Sequence, residues 1–380
     1  MAWDIPPPYA VHPPAPLAWA GWWRFFSLLT MLCVAIGCGL WFWLKDSRLL
    51  LVTFGAVISV ALLFIGIAGW RLFNYGVNAE QAKGIADQND WHLAEWQAWA
   101  QSGIDVLDYS VIFPASVPQP AEQRVEVNSD QPLSLGERPS MTYLFEELLA
   151  PLRGSLAQLR SPVWVYLPCE DDESTRACFL MVWEKLGLAA TGIIGYTDGA
   201  VTVPFAERIT HWLNEPDGYA KLMIFTQWAD NDANRHATDG MVAWLIAPGS
   251  AIAPYRCRLH RPMTGAPGTI SQDTAQFLTY QPIAMGTTDL WFNELAIGAK
   301  DQLIVERCQR LREQEPTANP GSPAQQFIPH WLGQSGPATD WFTLTMMMLM
   351  AEYRRTPQGL VLAQGNTLLF ATVSAGVSPS

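Results

Sequence analysis

Two stretches of this chain carry no charge. Phe25 to Leu44 is 20 residues long and Leu49 to Trp70 is 22. As helices, each is long enough to cross the ~30 Å apolar core of a bilayer. Only Lys45-Asp46-Ser47-Arg48 separates them, so the pattern predicts a tight turn and an antiparallel transmembrane helical hairpin. Trp22, Trp23, Trp41, Trp43 and Trp70 fall at or near the ends of the runs, as interfacial aromatics do. A signal peptide fits poorly: its first region would need net positive charge, the apolar run is too long, and a second run follows at once. A hairpin puts both of its ends on one side. Arg24, Arg71 and Lys83 flank that side, and Lys45 and Arg48 flank the other. Three charges against two point both termini to the cytoplasm. Ahead of the hairpin, Asp4 to Pro16 holds six prolines, which exclude a helix and favour an extended arm.

Beyond Trp70 the pattern changes. Asn78 to Ser102 repeats Trp91, Glu95, Trp96 and Trp99 at helical spacing. Ser110 to Pro114 reads as a short strand, 117–139 as a Pro-, Gln- and Ser-rich loop, and Met141 to Leu159 as a helix. From Val163 strands and helices alternate. Strands are expected at Val163–Leu167, Gly192–Tyr196, Lys221–Trp228 and Met241–Ala247, and helices at Asp171–Leu186 and Phe205–Leu213. This order predicts a layered α/β domain. The last third repeats the theme. A charged helix at Asp301–Glu313 is followed by Thr339–Tyr353, apolar nearly all round and therefore buried. Strands Leu360–Ala363 and Leu368–Val373 then close a hairpin over Gln364-Gly365-Asn366-Thr367. The related order hints at two similar halves. The divisions expected are a Pro-rich arm at 1–21, the hairpin at 22–74, a helical and loop linker at 75–160 and the α/β domain at 161–376.

Composition narrows the function classes. Of 380 residues 49% are hydrophobic and only 15% charged, against roughly 25% charged in soluble proteins, which fits a chain partly out of water. The net charge is −12 with no basic run, so nucleic acid is not an expected partner. Cys33, Cys38, Cys169, Cys178, Cys257 and Cys308 contain no CxxC pair, which argues against a disulfide framework or structural zinc. Asp230, Asp232, His236 and Asp239 crowd one loop but lack the calcium-loop spacing. His211, His260 and His330 stand alone. GxGxxG, Walker, GxSxG and HExxH motifs are all missing. No cofactor or metal is expected.

Several strings between Val163 and Val373 resemble the thiolase-like condensing enzymes. Ser174-Thr175-Arg176-Ala177-Cys178 is similar to their Thr-Ala-Cys nucleophile string. Ala284-Met285-Gly286-Thr287-Thr288-Asp289, with Glu294 beyond, is similar to an Ala-His-Gly-Thr stretch. Leu332-Gly333-Gln334-Ser335-Gly336-Pro337-Ala338 is similar to the Gly-His string that opens the family's buried helix. The resemblance implies a thiolase-like α/β fold with a Cys nucleophile at a strand-to-helix turn and two His residues. Met285 and Gln334 stand at the two His positions. A thioether cannot donate to an oxyanion, and Gln cannot relay a proton. Cys178, Met285 and Gln334 are then degenerate catalytic positions, and the chain is not expected to be an enzyme.

A membrane hairpin ahead of such a domain also resembles the type VI secretion lipase adaptor family, through 163–168, 220–248 and 330–373. That resemblance implies an adaptor at the bacterial inner membrane. It would hold a phospholipase effector in the cytoplasm and pass it to the secretion spike protein VgrG. A membrane-tethered immunity protein and a divergent acyltransferase are the alternatives. The expected partner anchors are Trp291 and Phe292, as a loop after Gly286, and Trp91, Trp96 and Trp99 on the helix after the membrane.

Overall fold

The computed structural model describes residues 3–115, 117, 134–135, 139–167, 173–188, 191–198, 204–228, 237–248, 254–314, 322–333 and 336–376. The chain divides into two compact units. Pro6–Glu95 form one, and Met1–Ile5 with Trp96–Ser380 form the other. The chain thus leaves the second unit after Ile5 and re-enters it at Trp96.

The first unit is the hairpin of α1 (Trp19–Leu44) with α2 (Arg48–Ala100), the latter running on into the second unit. Lys45 closes α1 in the left-handed conformation, at φ 52°, and the carboxylate of Asp46 accepts from the amide of Arg48 at the start of α2. Phe26 stacks on Phe64 at 4.4 Å, and Gly37 lies directly against Thr53. The glycine lets the two backbones approach, as small residues do between helices in lipid. Both helices are long and apolar enough to cross a membrane, and only 6% and 0% of their apolar windows are buried by the protein itself. A core helix of a soluble domain would be mostly buried. The separate helix expected from Asn78 is instead continuous with the second span, giving one helix of 53 residues. Between Arg71 and Val77 there is no proline, and the single Gly76 costs only about 1 kcal/mol. The change in composition there never breaks the backbone.

The α/β unit holds one mixed sheet. Its first half runs β1 (Gly103–Ile112), α3 (Met141–Leu149), α4 (Arg153–Ala157), β2 (Val163–Leu167), α5 (Glu173–Lys185), β3 (Ile193–Asp198), α6 (Phe205–Asn214), β4 (Ala220–Gln227) and β5 (Gly240–Ile246). The second runs β6 (Cys257–His260), β7 (Met263–Gly265), α7 (Ile270–Tyr280), β8 (Asp289–Phe292), α8 (Ile297–Gln314), β9 (Ala324–Phe327), α9 (Pro329–Leu332), α10 (Thr339–Arg354), β10 (Gln358–Gln364) and β11 (Thr367–Ala375). The strand order is β3-β2-β4-β5-β1 in one half and β9-β8-β10-β11-β6 in the other, so each position has its counterpart. The first three of each set are parallel and the next pairings antiparallel. Antiparallel pairing of β1 with β6 joins the halves. The two related halves hinted at by the sequence are therefore present as matching topology.

Three cores separate the layers. Along β4, Leu222 and Ile224 face an outer core with α3 and α5, while Met223 and Phe225 face a middle core. Along β10, Leu360 and Leu362 face that same middle core, while Val361 faces a second outer core with α7 and α8. The middle core encloses α6 and α10. Eleven of the 16 residues of α10 are buried, as expected from its apolar surface. Trp341 on α10 stacks on Phe225 at 4.0 Å and meets Trp244 edge-on at 5.3 Å.

Two expectations fail here for stated reasons. The residues assigned to a linker at 75–160 include β1, the strand at the joint between halves. Its acids hide the apolar alternation: Asp105 pairs with Arg258 at 2.6 Å and Asp108 with Arg256 at 2.8 Å, both across to β6 and the residue before it. Trp291 and Phe292 are not loop anchors. They lie in β8 at 0% and 1% exposure, Trp291 in the middle core and Phe292 in the outer one. The indole N–H of Trp291 donates to Gln358 at 3.1 Å. In addition β6, β7, α7 and β9 went unread, and the helix expected over Met141–Leu159 is broken into two around Pro151. The loops at 117–139, 230–240 and 316–323 lie mostly outside the described residues.

The start of α10 is held by side chains. Gln227 at the end of β4 accepts from the amide of Ala338 at 2.8 Å and donates to the carbonyl of Thr238 at 2.8 Å. The hydroxyl of Thr339 accepts from the amide of Gly336 at 2.6 Å, and that of Thr238 donates to the carbonyl of Leu332. Asp340 accepts from Gln364, the counterpart of Gln227 in β10, at 2.7 Å. Burial pushes its carboxyl up to about 6 despite that bond.

Two outcomes follow. Trp291→Ala should lower unfolding stability by about 3–5 kcal/mol, as for a large buried ring, read as a fall in denaturation midpoint; an unchanged midpoint contradicts the core placement. Asp340 binds its proton more tightly folded than unfolded, so its contribution is present below about pH 4 and is lost as pH rises through about 6. Asp340→Asn should therefore raise the melting temperature at pH 8 and leave it nearly unchanged at pH 3.5.

Candidate functional site

Two of the three degenerate catalytic positions, Cys178 and Met285, do not come together. Cys178 lies in the second turn of α5, half-buried against the outer core of the first half. Met285 is buried in a 3-10 turn, Pro282–Gly286, in the outer core of the second half. The middle layer stands between those cores, so Cys178 and Met285 cannot share a reaction centre. Gln334 lies outside the described residues. Cys178 is also not at a strand-to-helix turn; its string matched a helix interior.

The turns that enter the two central helices carry different residues. Pro204 and Phe205 open α6, and Phe205 is buried beside Trp341 with ring centroids 6.1 Å apart. Ala338 and Thr339 open α10, where Gln227 and Thr339 already occupy described backbone amides. Neither opening holds a cysteine. Buried Cys257 packs in the middle core, and burial pushes its thiol well above the ordinary range, which leaves it protonated and unreactive.

The remaining candidates are structural. Imidazole Nδ1 of His260 meets the carbonyl of Gln101 and Nε2 meets the hydroxyl of Ser374, both at 2.9 Å. Burial lowers its pKa, so it is a neutral ring with the proton on Nδ1. His211 pairs with Glu215 on the surface of α6, and the ring of His330 meets Phe327. Of the acidic loop cluster, Asp239 accepts from the amide of Leu135. Asp230, Asp232 and His236 lie outside the described residues, among which no group of metal-ligating side chains occurs. A conspicuous charged cluster is a brace: Arg256 grips both carboxylate oxygens of Glu352 at 2.7 and 2.6 Å and reaches Asp108, above the ring of Tyr109. The phenol of Tyr109 donates to Glu352 at 2.6 Å. These groups tie β1, β6 and α10.

The expected helix aromatics have separate fates. Trp91 is exposed on α2. Trp96 is half-buried and meets Trp99 edge-on at 5.4 Å. Trp99 packs against the outer core of the second half and forms one wall of a cavity that sequence reasoning missed.

That cavity, about 650 Å³, opens along one face of α6. Ala206, Glu207, Thr210 and Asn214 supply one side, and Arg261, Pro262 and Thr264 another. Trp3, from the far end of the chain, closes it. Its indole N–H donates to the carbonyl of Pro262 at 3.1 Å, its carbonyl accepts from Gln276 at 2.7 Å, and its ring meets Trp99 and Phe277 at 5.7 Å. Arg261 is 3% exposed and rests on the face of Trp99 at 4.2 Å. Its Nε donates to the carbonyl of Trp99 and the hydroxyl of Ser102, and its Nη1 to Asn214. Burial lowers its pKa. Nothing local in the sequence marks it: Arg261 simply follows a short strand of mixed polarity, Cys257–His260.

No protein-family model matches the chain, and no curated protein sequence matches it. Among solved structures it is similar to 3-oxoacyl-[acyl-carrier-protein] synthase III from Aquifex aeolicus VF5, at 12% identity over 72% of this chain and 100% of that one, with a TM-score of 0.41. It is also similar to acetamide-bound OleA from Xanthomonas campestri, at 10% identity over 72% and 99%, with a TM-score of 0.41. A third is 3-oxoacyl-(acyl carrier protein) synthase III, FabH, from Pseudomonas aeruginosa PAO1, at 12% identity over 72% and 98%, with a TM-score of 0.36. The layered arrangement itself rests on this chain's own strand order and cores.

Proposed function

We propose that this protein is a membrane-anchored, non-catalytic binding protein, in which a thiolase-like α/β domain serves as an adaptor for a protein partner. The observation that carries the reading is the filled opening of both central helices. Of the positions that the resemblance gives to the nucleophile and the first His, Cys178 lies within a helix and Met285 in a separate core, while the two central helices open on Phe205 in the aromatic stack and on amides bonded to Gln227 and Thr339. An oxyanion needs free, aimed donors. Cys178→Ala should leave partner capture unchanged, and an acyl-thioester probe should not label Cys178; covalent labelling there would overturn the non-catalytic reading.

The proposed location is the bacterial inner membrane, crossed by α1 and α2, with the α/β unit in the cytoplasm. Two apolar helices that the protein does not bury support the crossing. The chain leaves and re-enters one unit, which requires an even number of crossings. Three flanking charges against two favour the cytoplasm. A reporter fused after Ser380 should give β-galactosidase activity. Alkaline phosphatase activity without it would sink both the topology and the adaptor reading.

The proposed partner is a phospholipase effector of a type VI secretion system, bound for the VgrG spike. Support for this choice is the family resemblance of the three segments at 163–168, 220–248 and 330–373. With Trp291 and Phe292 in the core, exposed Trp91 and half-buried Trp96 are the remaining proposed anchors. Purification from native membranes should recover a phospholipase with the wild type and less of it with Trp91→Ala. Recovery of a toxin from a competing cell instead would favour the immunity reading.

A further inference from the structure

We propose that the cavity along α6 binds a small organic monocarboxylate with a flat apolar body, a carboxylate oxygen being taken by Nη2 of Arg261. This goes beyond the adaptor reading and is independent of it.

The argument starts from an uncompensated charge. A guanidinium keeps its proton even when buried, and a buried charge normally has a partner of opposite sign. Every hydrogen-bond partner of Arg261 is neutral: two carbonyl oxygens, of Trp99 and Asn214, and the hydroxyl of Ser102. No carboxylate among the described residues pairs with it. Two of its three nitrogens are thereby fixed. Nη2 has no hydrogen-bond partner, yet it is not among the sealed, unsatisfied buried atoms. It is therefore open to space beside it, and Arg261 lines the cavity. Water can fill such a space but cannot offset the charge.

The rest of the wall selects the ligand. At about 650 Å³ the cavity lies within the size range of small-molecule sites. Trp99 holds the guanidinium flat from below, and Trp3 stands edge-on to it. Together with Pro204, Pro262 and Leu369 they form apolar surfaces suited to a flat body. Thr210 adds a hydroxyl. Charge decides between a carboxylate and a phosphate. Among the described residues of the lining Arg261 is the only cation, and Glu207 on the rim opposes it. One available nitrogen beside one carboxylate suits a monoanion at a single point; a phosphate dianion would give up more hydration without gaining a second cation.

The test uses the full chain in nanodiscs of zwitterionic lipid, with empty nanodiscs as background. Three probes of one shape are compared by calorimetry and ligand-observed NMR: 2-naphthoate, 2-naphthylmethanol and 2-naphthyl phosphate. Naphthoate should bind, and the alcohol should bind about tenfold or more weakly, the loss expected for one charged hydrogen bond. Arg261→Met keeps the stem over Trp99 and should remove that preference. Glu207→Gln should tighten naphthoate roughly 1.5–5-fold, as for loss of one exposed like charge. Thr210→Phe lies outside the bonds of Arg261 and should block all three probes by filling the cavity, so it decides the matter where Arg261→Met fails to fold. Equal binding of acid and alcohol, tighter binding of the phosphate, unchanged binding in Thr210→Phe, or no gain in Glu207→Gln would each overturn the proposal.

Discussion

Everything in the α/β unit depends on enclosing one helix that has no polar side. α10 buries eleven of its 16 residues, spread round its circumference, and a single sheet face can cover only one side of a helix. The solution is two sheet faces, one from each half, closing on α10 and its counterpart α6. Each half then needs an outer cover, which α3 with α5 and α7 with α8 provide. The topology of matched halves is thus the geometric answer to an apolar cylinder that must be covered all round.

Such a centre tolerates polar groups only when they are satisfied locally. On α10 the hydroxyls of Thr343 and Thr345 donate to carbonyls one turn back, at 2.7 Å, and Thr345 also accepts from the indole of Trp244. At the base of the second half Asp289, fully buried, accepts from Gln326, Arg354, Gln358 and Thr288. Gln326 and Gln358 in turn accept from the indoles of Trp331 and Trp291. This network joins β8, β9 and β10, so the polar residues there fix the arrangement of parallel strands.

Elements whose sequence followed one rule were legible. The expected class, an apolar hairpin followed by a layered α/β domain, is the class found. Val163–Leu167 was read to the residue because a short β-branched and aromatic run between Pro162 and Pro168 favours a covered strand over a helix. Elements obeying two demands at once were hidden. β1 must pack on one side and also carry Asp105 and Asp108 for arginines on the neighbouring chain segment. β8 and β9 are four residues each, too short for any periodicity to show. The site was less legible than the fold. Motif strings drew attention to Cys178 and Met285, which lie in separate cores, while Trp3 and Arg261 line one cavity although separated by more than 250 residues of chain, the span that the bond from Trp3 to Pro262 closes. Local sequence carries no signal for a wall assembled from such distant segments.

The seating of Trp3 has a consequence for how the molecule is made. Its seat consists of Trp99, Pro262, Gln276 and Phe277. Trp3 leaves the ribosome long before any of the last three exist. The loop it must close spans 259 residues, so the contact is entropically late as well as late in synthesis. Through that interval the hairpin can already be formed while the arm waits undocked beside it. Trp3, made well before its seat, is thus among the last residues to be placed, and its docking reports that the second half of the domain has folded.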